Sequence, residues 1–474
     1  MVSFFSCLAL LIIGYFVYGK FVEKVFGADE NKTTPAIRLE DDVDYTPMPT
    51  WKAFLIQFLN IAGLGPIFGA IAGALWGPVA FLWIVFGSIF AGGVHDYFSG
   101  MLSLRHDGAS IPEVVGKYLG TGFKYFMRAF SVVLLVLLGV VFLTGPAGLL
   151  AGITPKALDQ TFWIYVIFIY YILATMLPID KLIGKIYPVF GICLLIMAFG
   201  VGGGIIVEGY HIPEIVLQNL HPDGLPIWPL MFVTIACGAI SGFHSTQSPI
   251  IARCITNEKQ GRFVFYGAMI AEGIVALIWA AAAMAFFGST GELGKQMAAH
   301  GGAAWVVNTI STTLLGKVGG ILAILGVVIC PITSGDTAFR SARLTIADSL
   351  NYKQEPIKNR FAISIPLFVI AFILTKINFD VIWRYFAWSN QTLAMFVLWG
   401  AAMYLAVNKK IHWIATIPAT FMTAVSVTYI MVANEGFKLP TAIGYPIGIA
   451  AAAIALSIFM VQAKKKTSSA ALEL

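Results

Sequence analysis

The chain has 474 residues, of which 58% are hydrophobic and 11% are charged, and its formal net charge at pH 7 is +6. Because about a quarter of the residues of an average soluble domain are charged, this composition excludes an ordinary soluble protein and indicates a polytopic membrane protein. The five cysteines are scattered without a Cys-x-x-Cys spacing, so they indicate neither a disulfide framework nor a metal site.

Apolar runs of roughly 17 to 25 residues, each long enough to cross a hydrocarbon core of about 30 Å, recur along the chain. The first run could also be interpreted as a signal peptide, but no Lys or Arg precedes it and its apolar core is as long as a span. We predict an all-α protein with about 13 transmembrane helices, at residues 2–19, 51–72, 78–100, 129–150, 161–177, 186–208, 229–251, 263–287, 318–338, 361–375, 383–406, 412–432 and 441–461.

The basic residues predict the orientation, because Lys and Arg stay in the short cytoplasmic loops. With span ends included, the loops after odd-numbered spans hold 24 of the 30 lysines and arginines, which leaves 6 for the loops after even-numbered spans. This alternation predicts an outside N-terminus and a cytoplasmic C-terminus in a cell (inner) membrane. It also explains the net charge, so a lipid bilayer is the expected partner and nucleic acid is not.

Three connecting segments stand apart from the spans. Residues 20–50, with the acidic run "EDDVD" at 40–44, are predicted to be a solvated linker, and Ser110 to Leu119 a short cytoplasmic helix. The long outer connection 288–317 is predicted to hold helical stretches separated by paired glycines. The tail after Gln462 is predicted to be unstructured.

Two spans are interrupted by small residues at mid-span. The second contains "IAGLGP" at 61–66 and the seventh contains "IACGAISGFHS" at 235–245, five spans further on. Because five is odd, the two spans enter the membrane from opposite sides, as in an inverted-topology repeat with two discontinuous helices. The predicted units are residues 1–50 with one extra helix, two five-helix repeats at 51–228 and 229–408, and two C-terminal helices at 409–474.

A broken helix inside a membrane must face protein or a wet cavity, because its free amides and carbonyls find no partners in lipid. Free amides favour an anion and free carbonyls favour a cation, so the breaks predict a carboxylate substrate with a co-transported cation. The alternative is that the glycines only let helices pack closely. The candidate substrate-binding residues are Asn60, Gly63, Leu64, Gly65, Gly238, Ser241, His244, Ser245 and Gln247.

Ionisable residues inside spans are candidates for coupling, because an unpaired charge there is expensive. Glu272 lies about ten residues into the eighth span. His244 is a candidate proton relay, with a structural histidine as the alternative. His95 and Asp96 are placed near the cytoplasmic end of the third span, where Asp96 is a coupling candidate or an anchor.

The ninth span ends in "CPITSGDTAFRSARL", which places Asp336 and Arg340 on one helix face. Asp336 is a further coupling candidate, and a structural ion pair with Arg340 is the alternative. The hydroxyls of Thr333 and Ser334 are candidate ligands for a cation such as sodium. Asn390 and Gln391 of "WSNQTLA" favour a role between helices over substrate binding.

Two rival classes of function fit the sequence less well. An intramembrane hydrolase would need a motif such as Gly-x-Ser-Gly, Gly-x-Gly-Asp or His-Glu-x-x-His, and "GAISG" and "TSGD" match none of them. A channel is usually built by symmetric assembly or by selectivity loops, whereas an internal inverted repeat favours alternating access. No enzyme activity, cofactor or metal is therefore expected.

Several motifs also resemble one known family in the same order, over most of the chain from about Trp51 to Gly400. They are "IAGLGPIFG", "GGVHDY", "TIACGAISGFH", "PITSGDTAFRSARL" and "WSNQTLA", and they resemble the carbon starvation protein A family. The resemblance implies a secondary transporter with a fold similar to LeuT-like transporters, described variously as a peptide transporter and as a proton-driven pyruvate transporter. Gln57 and Leu64 depart from the histidine and alanine usual in that family.

Together these features predict uptake of a small carboxylate such as pyruvate, coupled to a cation that we take to be a proton. Uptake of a peptide is the alternative, since both substrates present a carboxylate. The sequence leaves sodium open as the coupling ion and leaves the oligomeric state undetermined.

Overall fold

The computed structural model describes residues 1–41, 45–174, 180–350, 352–354 and 356–470, with the side chains of 180–188 and 468–470 outside the description. The acidic run 40–44 and the predicted span 161–177 therefore lie partly outside the described residues. Within the described residues the chain is helical and contains no β-strand. This part of the expected fold class is confirmed.

Among the residues that the structure describes, seventeen helical segments carry the fold, and a single short helix, Pro35–Arg38, lies in the linker after the first of them. They are α1 (Val2–Phe26), α2 (Thr50–Ile61), α3 (Gly65–Trp76), α4 (Ala80–Arg105), α5 (Ile111–Leu119), α6 (Thr121–Ile153), α7 (Gln160–Ala174), α8 (Asp180–Val207), α9 (227–234), α10 (His244–Ala252), α11 (Arg262–Phe287), α12 (Thr290–His300), α13 (Ala303–Leu350), α14 (Ile357–Leu374), α15 (Phe379–Val407), α16 (Trp413–Val432) and α17 (Thr441–Ala470).

Ten helices of the described chain are long and apolar enough to cross a membrane, or eleven if the bent pair α2 and α3 is one span. The predicted segment 161–177 is covered by the shorter apolar helix α7 as far as Ala174, and the segment 229–251 is covered by α9 and α10 with an interruption between them. The exact number of thirteen stays a prediction.

The two predicted interruptions are present. The bend between α2 and α3 is 50°. It follows a non-helical residue, Ala62 (φ −83°, ψ 55°), and α3 begins with Gly65 and Pro66. Proline fits the first turn of a helix, where its missing amide costs nothing. Residues 235–243 separate α9 from α10 in the same way.

The helices around the breaks form the core of the molecule. In α4, α11 and α15 about four fifths or more of the most apolar window is buried (83%, 78% and 89%), whereas in α1, α14 and α17 less than a third is buried (28%, 28% and 22%). The exposed residues of α1 include Phe16 and Val17. Apolar side chains exposed on peripheral helices suit contact with lipid, so the polar residues inside the core mark the functional region.

The helices end differently from the prediction at two places. The long outer connection does contain helical stretches separated by Gly301 and Gly302, but α13 then runs on without a loop into the predicted ninth span, with a kink at Gly316. The prediction of an unstructured tail was wrong, because α17 continues to Ala470. Lys466 Nζ donates to the carbonyl of Tyr118 at 2.5 Å, and this contact gives the basic end of the helix a partner.

The predicted linker after α1 is held against one end of the molecule. Arg105, at the end of α4, contacts both carboxylate oxygens of Glu258 (3.0 and 2.9 Å), and it donates to the Tyr404 hydroxyl (2.9 Å) and to the carbonyl of Gly27 (2.7 Å). The amide of Asp29 donates to the same glutamate at 2.9 Å. This network, which we call the Arg105 network, joins α1, α4, α15 and the loop between α10 and α11.

Candidate functional site

The first break leaves backbone groups open. The amide of Gly63 donates to the carbonyl of Ile61 (3.0 Å) instead of continuing the helical ladder, so the carbonyl of Leu59 loses its helical partner. Cys330 Sγ of α13 approaches that carbonyl at 3.8 Å. The amides of Leu64 and Gly65, which open α3, have no acceptor among the described residues. Such a helix start favours an anion.

The second break is held by one side chain of α15. Asn390 Oδ1 accepts a hydrogen bond from the amide of Phe243 (2.6 Å), and its carbonyl accepts one from the amide of Gly242 (3.0 Å). The Nδ2 group of the same residue donates to the hydroxyl of Ser241 (3.0 Å) and lies 3.3 Å from Cys237 Sγ. Ser88 Oγ of α4 donates to the carbonyl of Gly238 at 3.1 Å. Asn390 and Ser88 thus anchor the second break to α15 and α4.

The two breaks touch each other. A Cβ atom at Gly65 would lie 2.3 Å from Cys237 Sγ, and one at Gly238 would lie 2.6 Å from the Cβ of Ala276. At Gly63 the ring of Phe142 leaves only 2.6 Å. Such distances admit no side chain, so these glycines allow close packing as well as interrupting the helices. The same glycines therefore lie at the breaks and let the helices pack closely.

A buried chain of ionisable groups lies beside the breaks. His95 Nδ1 lies 2.7 Å from Asp96 Oδ1, and the other oxygen, Oδ2, lies 2.7 Å from His244 Nδ1. On the far side of the imidazole, His244 Nε2 lies 3.3 Å from Glu272 Oε2. All four side chains are fully buried. We call His95, Asp96, His244 and Glu272 the buried polar chain.

The position of each group on its helix brings it to the buried polar chain. His244 is the first residue of α10, so the geometry of the second break decides where its ring points. Glu272 lies one turn before Ala276, which faces Gly238 of the same break. Asp96 follows a π-helical stretch, Gly87–Gly92, within α4. Such stretches are rare in helices and are frequent at functional sites.

The buried polar chain has unused hydrogen-bonding capacity. His95 Nε2, His244 Nε2 and both carboxylate oxygens of Glu272 make no hydrogen bond to a described residue. Buried polar atoms are almost always paired, so these atoms are costly unless water, a proton or a ligand uses them. An imidazole between two carboxylates can accept a proton on one nitrogen and release it from the other.

The structure corrects the expected position of Asp96. The sequence placed His95 and Asp96 near the cytoplasmic end of a span, but α4 continues for nine residues beyond Asp96, to Arg105. Both side chains lie in the buried core rather than at a helix end. The sequence analysis named only Asp96 of this pair as a coupling candidate, because it placed both residues at the end of a span.

Asp336 lies in a different part of the core. Its carboxylate is 3.9 Å from Arg340 Nη2, as the i, i+4 spacing predicts. The adjacent Gly335 faces the hydroxyl of Tyr171 and the Cβ of Phe142, while the tip of the Phe142 ring faces Gly63. Phe142 thus lies between the Asp336 region and the first break.

Most of the other predicted site residues form hydrogen bonds or packing contacts close to the breaks. Thr333 Oγ1 donates to the carbonyl of Cys330 (2.8 Å), and Ser245 Oγ donates to the carbonyl of Gly242 (2.6 Å). Gln247 Nε2 donates to Thr246 Oγ1 (2.9 Å). Ser334 is buried one turn from Cys330 on the same helix. Asn60 is half-buried, and Leu64 packs its side chain against Gly145 of α6.

Two functional candidates have no sequence motif of their own. Gln57 of α2 is fully buried, and both of its side-chain amide atoms lack a partner among the described residues. Trp383 Nε1 is likewise buried without a described partner. Only the packing shows that these atoms lack a partner, although the sequence had already singled out Gln57 as a departure from the family that it resembles.

A cavity of about 970 Å³ leads toward the first break, and we call it the vestibule. Its walls come from α3, α6, the end of α9, the start of α13 and the start of α15, and include Phe68, Gly145, Thr234 and Trp383. Phe68 lies within one turn of Gly65, and its ring centroid is 6.1 Å from that of Trp383. The vestibule therefore ends against an aromatic pair next to the open amides. Within the described residues, no group of three or more His, Cys, Asp or Glu side chains could hold a metal ion.

Solved structures with a similar fold are transporters. MhsT in complex with L-phenylalanine matches with a TM-score of 0.53 and 16% identity over 87% of this chain and 98% of its own. Mhp1, a nucleobase-cation-symport-1 family transporter, matches in a closed conformation with bromovinylhydantoin bound, with a TM-score of 0.53 and 12% identity over 88% and 92% of the two chains. Identities this low show the fold alone, and the fold is that of LeuT-like transporters.

Several proteins with a similar sequence are named as transporters, and others have no functional name. An uncharacterized membrane protein of Haemophilus influenzae is 47% identical over 60% of this chain and 91% of its own. The peptide transporter CstA of Campylobacter jejuni is 24% identical over 93% and 82%, and the pyruvate/proton symporter BtsT of Escherichia coli is 26% identical over 58% and 47%. These names agree with the expectation of a transporter over an intramembrane enzyme.

The family model for the carbon starvation protein CstA matches residues 1–157 and 149–292, which is more than half of the chain. The motifs that suggested this family from the sequence lie in the two breaks, in α4, in α13 and in α15. The chain therefore belongs to the carbon starvation protein CstA family.

Proposed function

We propose that this protein is a secondary active transporter that takes up a small carboxylate nutrient together with protons. The observation that carries the proposal is the buried polar chain, in which His244 lies between Asp96 and Glu272 at the edge of the second break. A chain of titratable groups inside a membrane protein is costly and is typical of a proton relay. Neither an intramembrane hydrolase nor a channel is favoured by a comparable observation.

The proposed architecture is thirteen spans with the N-terminus outside and the C-terminus in the cytoplasm. Residues 51–228 and 229–408 are the two inverted repeats, 1–50 supply the extra first helix and 409–474 the last two. Two observations support this layout. The broken spans α2–α3 and α9–α10 meet at Gly65 and Cys237, and each interruption follows the helix that opens its proposed repeat.

The proposed substrate site is the first break together with the adjoining face of the second. The open amides of Leu64 and Gly65 would bind the substrate carboxylate, with Asn60 and Gly63 beside them. Gly238, Ser241, Ser245 and Gln247 would shape the opposite wall. The vestibule would admit the substrate from outside, because its lining includes part of the segment 288–317, which the distribution of basic residues predicts to be outside.

Pyruvate is the first proposed substrate and a short peptide the alternative. Relatives are named for each, as a pyruvate/proton symporter and as peptide transporters. Both substrates offer a carboxylate to the open amides.

Protons are the proposed coupling ion, and the buried polar chain is their proposed route. Sodium is the second candidate, with Thr333 and Ser334 as its hydroxyl ligands and Asp336 as a nearby carboxylate. The contact of the Cys330 thiol with the carbonyl of Leu59 supports this second site, because it brings α13 against the end of α2. Hard oxygen atoms of this kind suit an alkali cation.

The proposal is tested by reconstituting the protein in liposomes and measuring uptake of labelled pyruvate and of labelled dialanine. Each compound is offered under an inward proton gradient and then under an inward sodium gradient, with a pH-sensitive dye inside the vesicles. Pyruvate accumulation that acidifies the interior and ignores sodium is the expected result. Accumulation under sodium alone would contradict proton coupling, and accumulation of dialanine alone would replace pyruvate with the peptide.

A further inference from the structure

Asn390 is the residue on α15 that touches the second break through three separate groups. Its Oδ1 atom accepts from the amide of Phe243 at 2.6 Å, and its carbonyl accepts from the amide of Gly242 at 3.0 Å. Its Nδ2 group reaches Ser241 and Cys237. A Cβ atom at Gly242 would lie 2.3 Å from the carbonyl oxygen of Asn390, so the two backbones are in direct contact.

The position of His244 depends on these contacts, because it directly follows the amide that Asn390 holds. The titratable groups that face His244 are Asp96 on α4, with His95 behind it, and Glu272 on α11. Both ends of the imidazole must be in place at once for a proton to pass. A shift of the break by a fraction of an ångström would lengthen one contact at the expense of the other.

We propose that Asn390 is a positioning residue for proton coupling, which holds the second break so that His244 faces Asp96 and Glu272 together. Asn390 bonds to Ser241 in the opposite wall of the proposed substrate site, but it makes no hydrogen bond to the amides of Leu64 and Gly65. Its loss should therefore affect coupling more than binding of the substrate carboxylate. The inference rests on the proposed function and adds to it that α15 and the second break act as one unit.

The first test compares the wild type with Asn390→Ala by hydrogen–deuterium exchange in detergent. The loss of the Oδ1 acceptor leaves the amide of Phe243 without its partner, so we expect exchange in the segment 241–244 to rise by about tenfold. The control is Thr392→Val on the same helix, whose hydroxyl bonds only within α15 to Trp388 (2.8 Å). This variant should exchange like the wild type. Unchanged exchange in Asn390→Ala would overturn the proposal.

The second test measures transport with the same variants. Asn390→Ala should keep counterflow exchange of the substrate but accumulate it about tenfold less under a proton gradient, with a changed pH profile. An equal loss of counterflow and accumulation at an unchanged pH profile would show a structural role only and would overturn the inference. Asn390→Asp keeps an acceptor for the amide of Phe243, so it should recover accumulation. The same variant keeps the proposal testable if Asn390→Ala does not fold. A wild type that shows no proton-dependent transport would refute the proposed function, while the exchange experiment would still decide whether Asn390 holds the break.

Discussion

His244 Nδ1 and Asp96 Oδ2 lie 2.7 Å apart although 148 residues separate them in the chain. The contact joins α4 of the first proposed repeat to α10 of the second. Both side chains are fully buried, so the interaction is shielded from water and is stronger than it would be at a surface. A transporter that changes the packing of these two helices must also change the proton affinity of this pair.

Glu272→Gln is expected to abolish accumulation of the substrate under a gradient while counterflow of the substrate persists. The amide keeps the size of the side chain but cannot take a proton from His244 Nε2, which lies 3.3 Å from the carboxylate. Gradient-driven uptake should fall by about 10²-fold or more, the usual contribution of a positioned proton donor or acceptor, while counterflow persists. Liposome uptake with matched protein levels measures both. Normal accumulation by this variant would remove Glu272 from the mechanism.

Asp336→Asn is expected to leave the proton dependence of uptake in place. Its carboxylate lies beside Arg340, with Phe142 between its neighbour Gly335 and the first break. The matched variant is Asp96→Asn, which interrupts the buried polar chain and should abolish the response to pH. The comparison uses the pH profile of initial uptake rates. If Asp336→Asn altered that profile as strongly as Asp96→Asn, protons would have to pass through both regions.

Gly65→Ala is expected to destabilise the contact between the two breaks. The new Cβ would lie 2.3 Å from Cys237 Sγ, and relieving such an overlap costs about 1–3 kcal/mol. The thermal stability of the purified protein should fall accordingly, and uptake should fall with it. In the double variant Gly65→Ala with Cys237→Gly the opposing atoms are absent, so part of the stability should return. A single variant as stable as the wild type would contradict the observed packing.

Glu258→Gln is expected to weaken the end of the molecule held by the Arg105 network. Glu258 is fully buried and accepts from two guanidinium nitrogens at 3.0 and 2.9 Å. Removing one partner of a buried ion pair costs about 3–5 kcal/mol, because the other charge stays uncompensated. Thermal unfolding in detergent measures the loss. Glu30→Gln, an exposed carboxylate in the nearby linker, provides the control and should change little.

Glu214 is expected to make the attachment of α1 sensitive to acid. The amino group of Met1 and the hydroxyl and amide of Ser3 bond to its carboxylate and lower its pKa from an ordinary 4.5 to about 2. A lowered pKa adds stability that is present above about pH 4.5 and is lost as the pH falls towards 2. The stability difference between the wild type and Glu214→Gln should therefore shrink over that range. The exposed Glu208 serves as a control position, and a difference independent of pH would contradict the assignment.

Some features of this protein could be read from local sequence because their causes are local. An apolar run long enough for a bilayer becomes a helix, and glycine with proline at 65 and 66 ends one helix and begins another. The helix at 110–119 was predicted from its serine and proline and is present as α5. The family motifs were equally visible because they are contiguous.

The tertiary structure alone decided which polar residues meet. Asp96, His244 and Glu272 were each recognised as charged or titratable groups within spans, but their mutual distances depend on how α4, α10 and α11 pack. The same packing placed Asp336 elsewhere and gave Asn390 its role at the second break. Sequence spacing shows which residues share a helix face, whereas contacts between helices far apart in the chain depend on many small packing interactions that no single segment contains.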